Sequence, residues 1–192
     1  MLRGLGDIVL DSQRIFRAVM DALAHPGRVV EVPGPMEAPK PLHPASAAIC
    51  LTLVDFETPL WLDPAAATLE VREYLRFHCG CRVVDGPASA KFAVVADPDS
   101  MPSLVRFEAG SQEYPDASAT VIVQARTLSE GGGRRLTGPG IDGHARLEAA
   151  GLPDAFWRGL RDNHALFPRG VDVLLTDGSR LAALPRTTLA EA

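Results

Sequence analysis

Apolar positions recur at helical spacing in the first part of the chain. Residues 12–24 are therefore predicted to form an amphipathic helix, with Asp11 or Ser12 as its N-cap and Pro26 close behind its end. A second predicted helix begins at Asp63, where the pair Asp63-Pro64 combines an N-cap with a proline at the first helical position. In full, helices are predicted over residues 12–24, 45–54, 63–77 and 153–163.

Short β-branched or alternating runs separate these helices and predict strands. A turn over residues 129–133 is expected to join residues 120–125 to residues 134–137 in a hairpin, and Asp177-Gly178 is a strong signal for another. The predicted strands cover residues 28–32, 60–62, 82–84, 92–96, 120–125, 134–137, 171–176 and 181–184. Helices interleave with strands first and hairpins follow, which favours an α/β fold with a mixed parallel and antiparallel sheet covered by helices.

Composition narrows the class of protein. The 192 residues fit a single domain over 1–192, with five prolines in residues 33–44 marking a surface loop. A net charge of −5 gives no basic footprint for nucleic acid or anionic lipid. Residues 1–10 lack the continuous apolar run and the cleavage site typical of a secretory signal, so none is expected there. The sequence has no run of eighteen apolar residues, so no membrane span is expected either. Three cysteines, an odd number, favour reduced thiols in the cytoplasm.

A glycine-rich segment over residues 131–140 is the first candidate for ligand binding. Backbone N–H groups in glycine loops can cradle phosphate, and Arg134 and Arg135 would supply guanidinium donors next to Thr137 and Gly138. The spacing of Gly133 and Gly138 matches the start of a phosphate-binding loop, but Pro139 stands where lysine is required. The alternative is a glycine hairpin turn followed by a kinked strand.

A carboxylate within an apolar strand is the second candidate. Asp172 lies among valines and leucines, and a half-buried carboxylate needs a cationic partner, for which Arg186 and Arg169 are available. A structural ion pair and a binding role both remain open for Arg186.

Signatures of independent catalysis are incomplete. Residues 78–81, His-Cys-Gly-Cys, lack the second ligand pair of a zinc site and are expected to be small residues at a helix C-terminus, with His78 near its negative end. Lys40 and Lys91, the only lysines, have no recognisable phosphate cup for pyridoxal phosphate. Asp97 and Asp99 are interpreted as caps in a turn. No catalytic residue, metal or cofactor is predicted.

The order of several short motifs resembles one known family along nearly the whole chain. None of these motifs is specific alone, but their shared order resembles the H subunit of the bacterial carbon–phosphorus lyase system, which degrades phosphonates. The matching segments are Phe16-Arg17, Pro26-Gly27, residues 51–55, 58–62, 75–78 and 135–141, Phe167-Pro168, residues 170–172 and residues 185–188.

This resemblance implies an α/β/α sandwich with a mixed sheet, related to pyridoxal-phosphate-dependent transferases but lacking the cofactor. It implies assembly with subunits G, I and J, with subunit L joining when phosphonate displaces adenine from ATP to couple to ribose triphosphate. It also implies a homodimer in isolation. Three cysteines without cluster spacing argue against an iron–sulfur centre in this chain.

Two hypotheses follow for function. The first is an accessory or structural subunit of the carbon–phosphorus lyase core complex that supplies no nucleophile of its own. The second is a stand-alone phosphate-, phosphonate- or nucleotide-binding protein or enzyme that uses Arg134, Arg135 and Arg186.

Overall fold

The computed structural model describes residues 2–34 and 37–191 and contains helices interleaved with strands. Part of the predicted proline-rich loop, residues 35–36, lies outside the described residues. The helices are α1 (Ile8–Ala24), α2 (Pro44–Leu53), α3 (Leu69–Cys79) and α4 (Asp154–His164). The strands are β1 (Val30–Glu31), β2 (Leu60–Leu62), β3 (Val83–Val84), β4 (Phe92–Val95), β5 (Thr120–Gln124), β6 (Thr127–Thr137), β7 (Ala145–Ala150), β8 (Asp172–Asp177), β9 (Arg180–Leu184) and β10 (Leu189–Ala190).

The main sheet has seven strands in the order β1-β9-β8-β5-β4-β2-β3. Strands β3, β2, β4, β5 and β8 run parallel, and β9 and β1 then add antiparallel at one edge. The Asp177-Gly178 turn joins β8 to β9, so the predicted hairpin is confirmed. The sequence-based prediction of a mixed α/β fold with a mixed sheet is confirmed as well.

The two faces of this sheet are covered differently. On one face, Leu60, Val94, Ile122 and Leu174 pack with the buried sides of α1, α2 and α3. Alternate strand residues point to the other face because successive side chains in a strand alternate. There they pack with α4 and with a three-stranded antiparallel sheet in the order β10-β6-β7. The second outer layer is therefore part helix and part sheet, whereas the sandwich expected from the family resemblance has helices on both sides.

Helix α1 begins earlier than predicted. Asp7, and neither Asp11 nor Ser12, is the N-cap, since its Oδ1 accepts hydrogen bonds from Val9 N and Leu10 N at 3.0 and 2.9 Å. Asp7 N donates to Asp11 Oδ2 at 2.9 Å, so both ends of this first turn are hydrogen-bonded. Residues 8–10 are all apolar, although they are exposed, so they show no alternation between a buried and a polar face. The predicted start at residue 12 was wrong for this reason.

Helix α3 begins later than predicted. Thr68 is its N-cap, with Oγ1 accepting from Val71 N at 3.2 Å, while Asp63 instead closes a separate turn by accepting from Ala66 N at 2.7 Å. The buried face of α3 contains Val71, Tyr74 and Leu75, whereas Leu69 and Phe77 are exposed. By contrast, α2 and α4 match the predicted helices to within one residue at each end.

The predicted hairpin turn over residues 129–133 is wrong. Strand β6 runs continuously through the glycines and pairs with β7, with a bulge in which Glu130 and Arg134 both face Leu147. A Cβ on Gly133 would lie 2.4 Å from Leu147 O, so the two backbones approach more closely than any side chain allows. The glycines therefore shape a bulge within a strand, and β7 was not predicted.

Candidate functional site

Arg134 and Arg135 are neighbours on β6, so their side chains leave opposite faces of the strand. Arg134 Nη2 lies 2.6 Å from Asp154 Oδ1, at the first turn of α4, and its guanidinium carbon lies 5.7 Å from the centre of the Trp157 ring. Arg135 Nη1 donates to both carboxylate oxygens of Glu191, at 2.7 and 2.8 Å. Each guanidinium is thus paired with a carboxylate of the chain itself.

Arg186 is the most extensively bonded arginine of the predicted set. Its guanidinium donates to Asp172 Oδ2 at 2.6 Å, to Pro115 O at 2.6 Å and to Ser118 Oγ at 2.5 Å. The Arg186 side chain is 14% exposed, and its backbone N–H also donates to Asp172 Oδ1 at 2.9 Å. The predicted ion pair between Asp172 and Arg186 is present, and it joins β8 to the loop over residues 115–118.

Thr137 and Gly138 lie where β6 meets β10. Thr137 pairs with Leu189, and a Cβ on Gly138 would lie 2.7 Å from Thr187 O. Gly138 therefore allows close packing between two backbone segments. Thr137 and Gly138 therefore contact the segment over residues 187–189, while Arg134 connects β6 to α4. The three guanidinium groups pair with three separate carboxylates, so they do not converge on one site.

The carboxyl ends of the parallel strands contain polar residues that sequence reasoning did not single out as a site. The chain passes from β2 to β3 on one side and then to β4 on the other, which makes the ends of β2 and β4 a topological switch point. In open α/β sheets, ligands bind in the crevice outside such a point.

The Asp63 carboxylate occupies this crevice. Asp63 is completely buried, and its Oδ2 accepts hydrogen bonds from Ala96 N and Asp97 N at 3.1 and 2.9 Å, while Oδ1 accepts from Ala66 N. Asp97 caps the following turn by accepting from Asp99 N at 3.3 Å, as predicted for Asp97. The backbone N–H groups that could bind an anion from solution here are already hydrogen-bonded to the Asp63 carboxylate.

The neighbouring strand ends are closed in a similar way. Gln124, at the end of β5, accepts from His43 N at 2.5 Å and donates to Pro41 O at 3.0 Å. Thr176, on β8, shares a hydrogen bond of 2.7 Å with Ser46, and both side chains are buried. Partial burial lowers the pKa of the His43 imidazole, so this group is neutral near pH 7. The sheet edge is thus filled by the first turn of α2 and the loop before it.

The end of α3 packs against α2, because Cys79 Sγ lies 3.6 Å from the carbonyl oxygen of Cys50. The described part of the chain contains no group of three histidine, cysteine or carboxylate side chains arranged to hold a metal ion. Gly80, with φ 67°, caps α3 directly after Cys79, as expected for small residues at a helix C-terminus. None of the described helices combines the length and hydropathy needed to cross a bilayer.

An open cleft of about 400 Å³ lies where the end of α1 meets the loop between β6 and β7. The cleft is lined by charged and titratable side chains of both signs, among them His25, Arg28, Glu130 and His144. The loop contacts α1 so closely that a Cβ on Gly140 would lie 2.1 Å from Ala24 O. Two segments that are far apart in the sequence, Pro26-Gly27 and Gly140-Ile141, therefore both line this cleft.

Replacing Gly140 with alanine should test this contact. Gly140 has φ 82° and faces the Ala24 carbonyl, so alanine adds a backbone clash to the cost of about 1–2 kcal/mol for a left-handed residue. Gly143→Ala is the matched control, since Gly143 has φ 70° but nothing within 4 Å of its would-be Cβ. We expect urea unfolding to show a clearly larger loss of stability for Gly140→Ala. Equal losses would contradict the contact.

Comparison with known proteins assigns the chain to a family. Residues 3–191 match the family described as bacterial phosphonate metabolism protein (PhnH). The chain is 38% identical over 185 residues to the alpha-D-ribose 1-methylphosphonate 5-triphosphate synthase subunit PhnH of Rhizobium meliloti (strain 1021), with 96% of this chain and 92% of that protein covered. It is 35% identical over 176 residues to a putative C-P lyase subunit protein, HtxG, of Stutzerimonas stutzeri, with 92% and 84% covered. The chain therefore belongs to the PhnH family of bacterial phosphonate metabolism proteins.

Proposed function

We propose that this chain is an accessory subunit of a bacterial carbon–phosphorus lyase core complex, needed to couple phosphonate to ribose triphosphate as adenine is displaced from ATP. The observation that carries the proposal is the family match over residues 3–191, together with two relatives whose names describe subunits of such systems. In this proposal residues 1–192 form one domain and act in the cytoplasm. The neighbouring subunits are G, I and J, joined by L during the ATP reaction.

The geometry of the sheet edge supports a role without chemistry in this chain. In the crevice where a doubly wound sheet would hold a ligand, Asp63 already accepts three backbone N–H groups. We propose on the same basis that the fold is related to pyridoxal-phosphate-dependent transferases without the cofactor. Lys91 precedes β4 and donates to Ala117 O, which places it at the amino end of the parallel strands, away from this crevice.

Exposed apolar side chains support assembly with other chains. On α1, Val9, Phe16 and Met20 are exposed and recur at a spacing that places them on one side of the helix. Large apolar side chains that share an exposed surface mark protein interaction sites more often than chance would give. We propose that partner subunits, or a second copy of this chain in a homodimer, cover such surfaces.

The test is genetic and biochemical. In a bacterium that lacks its own PhnH-family gene, this chain should restore growth on methylphosphonate as the sole phosphorus source, with growth on phosphate as the control. Co-expressed with subunits G, I and J, the chain should elute with them in size-exclusion chromatography. Failure to co-elute with any of these subunits, combined with no growth on methylphosphonate, would contradict the proposal.

A second hypothesis is a stand-alone binding protein with an anion site at Arg134, Arg135, Thr137, Gly138 and Arg186. The observed geometry gives it less support, because each arginine has a carboxylate partner within 2.7 Å. Calorimetry of the isolated chain with ATP, compared with Arg135→Ala, separates the two hypotheses.

A further inference from the structure

Strand β7 differs in length from the other strands that end a sheet. Within the described part of the chain, the main sheet ends in β1 and β3 and the small sheet ends in β10, and each of these has two residues. The other end of the small sheet is β7, which has six residues. Natural sheets keep exposed edges short because the unpaired N–H and C=O groups of an edge pair readily with another strand. The length of β7 therefore marks this edge as a place where another strand can add.

The outer edge of β7 has no partner strand among residues 2–34 and 37–191. Strand β6 lies on its inner side. Outside the strand ladders, the one backbone bond that reaches β7 within the same residues runs from Arg126 N to Ala150 O at 2.8 Å. Alternate N–H and C=O groups of β7 point away from β6, because each residue of an antiparallel strand directs these groups to one side only. They can donate to and accept from a further strand.

The side chains of β7 alternate between the core and the outer face of the small sheet. Leu147 is completely buried and Ala149 is buried as well. Arg146 and Glu148, by contrast, are both exposed. Arg146 Nη1 donates to Gly133 O at 3.0 Å, which leaves the rest of its guanidinium available for a carboxylate. Among the described residues, neither of these two charges has an ion-pair partner.

We propose that a second copy of this chain adds its own β7 antiparallel to this edge, in the register that is centred on Leu147. Directly opposite residues of two antiparallel strands lie on the same face of the sheet. In this register Arg146 of each copy lies opposite Glu148 of the other, which gives two pairs of opposite charge. A register centred on Arg146 or on Glu148 instead places two like charges opposite each other. Charge complementarity therefore selects the Leu147 register, and a continuous sheet β10-β6-β7-β7-β6-β10 results.

A strand that is complementary to itself suits a second copy of the same chain. In a two-fold symmetric dimer the same surface of both subunits meets, so every contact occurs twice. Arg146 and Glu148 meet this condition as the only charged residues of residues 145–150. The proposal rests on the homodimer put forward under the proposed function and names the surface through which that dimer forms.

Reversal of the charges tests the register. Arg146→Glu places like charges opposite each other in both pairs, and Glu148→Arg does the same. We expect each single variant to raise the Kd of the dimer by about tenfold or more, since two attractive pairs become repulsive. The double variant Arg146→Glu/Glu148→Arg restores opposite charges across the axis, so its Kd should return close to the wild-type value. Sedimentation equilibrium of the isolated chain over a wide range of protein concentration measures the Kd.

Arg76→Glu is the matched control. Arg76 is exposed on α3, which packs on the opposite face of the main sheet from β7, so this reversal should leave the Kd unchanged. Circular dichroism checks that all variants remain folded. A wild-type chain that stays monomeric at every concentration would overturn the proposal. A dimer that the single variants do not weaken, or that the double variant does not restore, would also overturn it.

The outcome is separable from the proposed subunit role. Growth on methylphosphonate and co-elution with subunits G, I and J test that role without reference to β7. A chain that passes both of these tests, but whose dimer is indifferent to the charges of Arg146 and Glu148, contradicts the β7 interface and leaves the subunit role in place.

Discussion

Asp63→Ala should produce the largest loss of stability of any single polar substitution considered for this chain. The carboxylate is completely buried and accepts three backbone N–H groups, from Ala66, Ala96 and Asp97. Alanine leaves all three donors without a partner in a dry site. Because each unsatisfied buried group costs about 1–3 kcal/mol, we expect a total loss of about 3 kcal/mol or more in the free energy of unfolding. Urea titration followed by circular dichroism measures it.

Two further variants show whether burial and charge cause this effect. Asp63→Asn keeps one accepting oxygen but points an NH₂ group at a donor, so we expect an intermediate loss. Asp55→Ala is the matched exposed control, since Asp55 Oδ1 accepts from Glu57 N and Thr58 Oγ1 at the surface, where water can replace it. If Asp55→Ala and Asp63→Ala shift the unfolding midpoint equally, Asp63 does not have the role described here.

Arg186→Met should be the second large effect. The substitution keeps much of the apolar volume but leaves Asp172, itself only 25% exposed, without its guanidinium partner. Losing a hydrogen bond to a charged group costs about 1.5–3 kcal/mol at such a partly buried site, and the loop over residues 115–118 also loses its contacts with the guanidinium. We expect a lower urea midpoint for Arg186→Met, with Arg186→Lys recovering only part of the loss because lysine cannot make the forked contacts.

The double variant Arg186→Met/Asp172→Leu separates a structural pair from a ligand site. Removing both charges takes away the uncompensated carboxylate, so the double variant should be more stable than Arg186→Met alone. A ligand site predicts a different pattern, in which wild-type protein gains stability from added ATP and Arg186→Met does not. Stabilisation of that kind would show that Arg186 binds the nucleotide in addition to holding β8 to its neighbours.

The sequence predicted the fold well where local signals agree with tertiary packing. The run of small and apolar residues in α2 and the Asp177-Gly178 turn both have one reasonable interpretation, and both are confirmed. The errors fall where a local signal has two readings. Asp63-Pro64 has the chemistry of a helix start, but the Asp63 side chain satisfies the backbone of a distant strand end as well as its own turn. No periodicity in the sequence reports such a long-range bond.

The candidate site was predictable only in part. The cost of burying a charge predicts that Asp172 needs a cationic partner, which left Arg186 and Arg169 as candidates. The structure shows Arg186 as that partner. The partners of Arg134 and Arg135 were not predictable, because Asp154 and Glu191 come close only through the packing of α4 and β10 on β6. The glycine run suggested a phosphate loop, since a bulge and a loop require the same freedom at φ.

The pairing of β1 with β9 has a consequence for how the molecule forms. Val30 lies opposite Leu181, so one edge of the main sheet is built from residues separated by most of the chain. The small sheet likewise needs β10 to complete its order. Contacts this distant in sequence slow folding, because the entropy of closing a long loop is lost before the contacts form. During synthesis on the ribosome, β1 therefore has no strand to pair with until residues 180–184 have emerged, and this edge of the main sheet forms late.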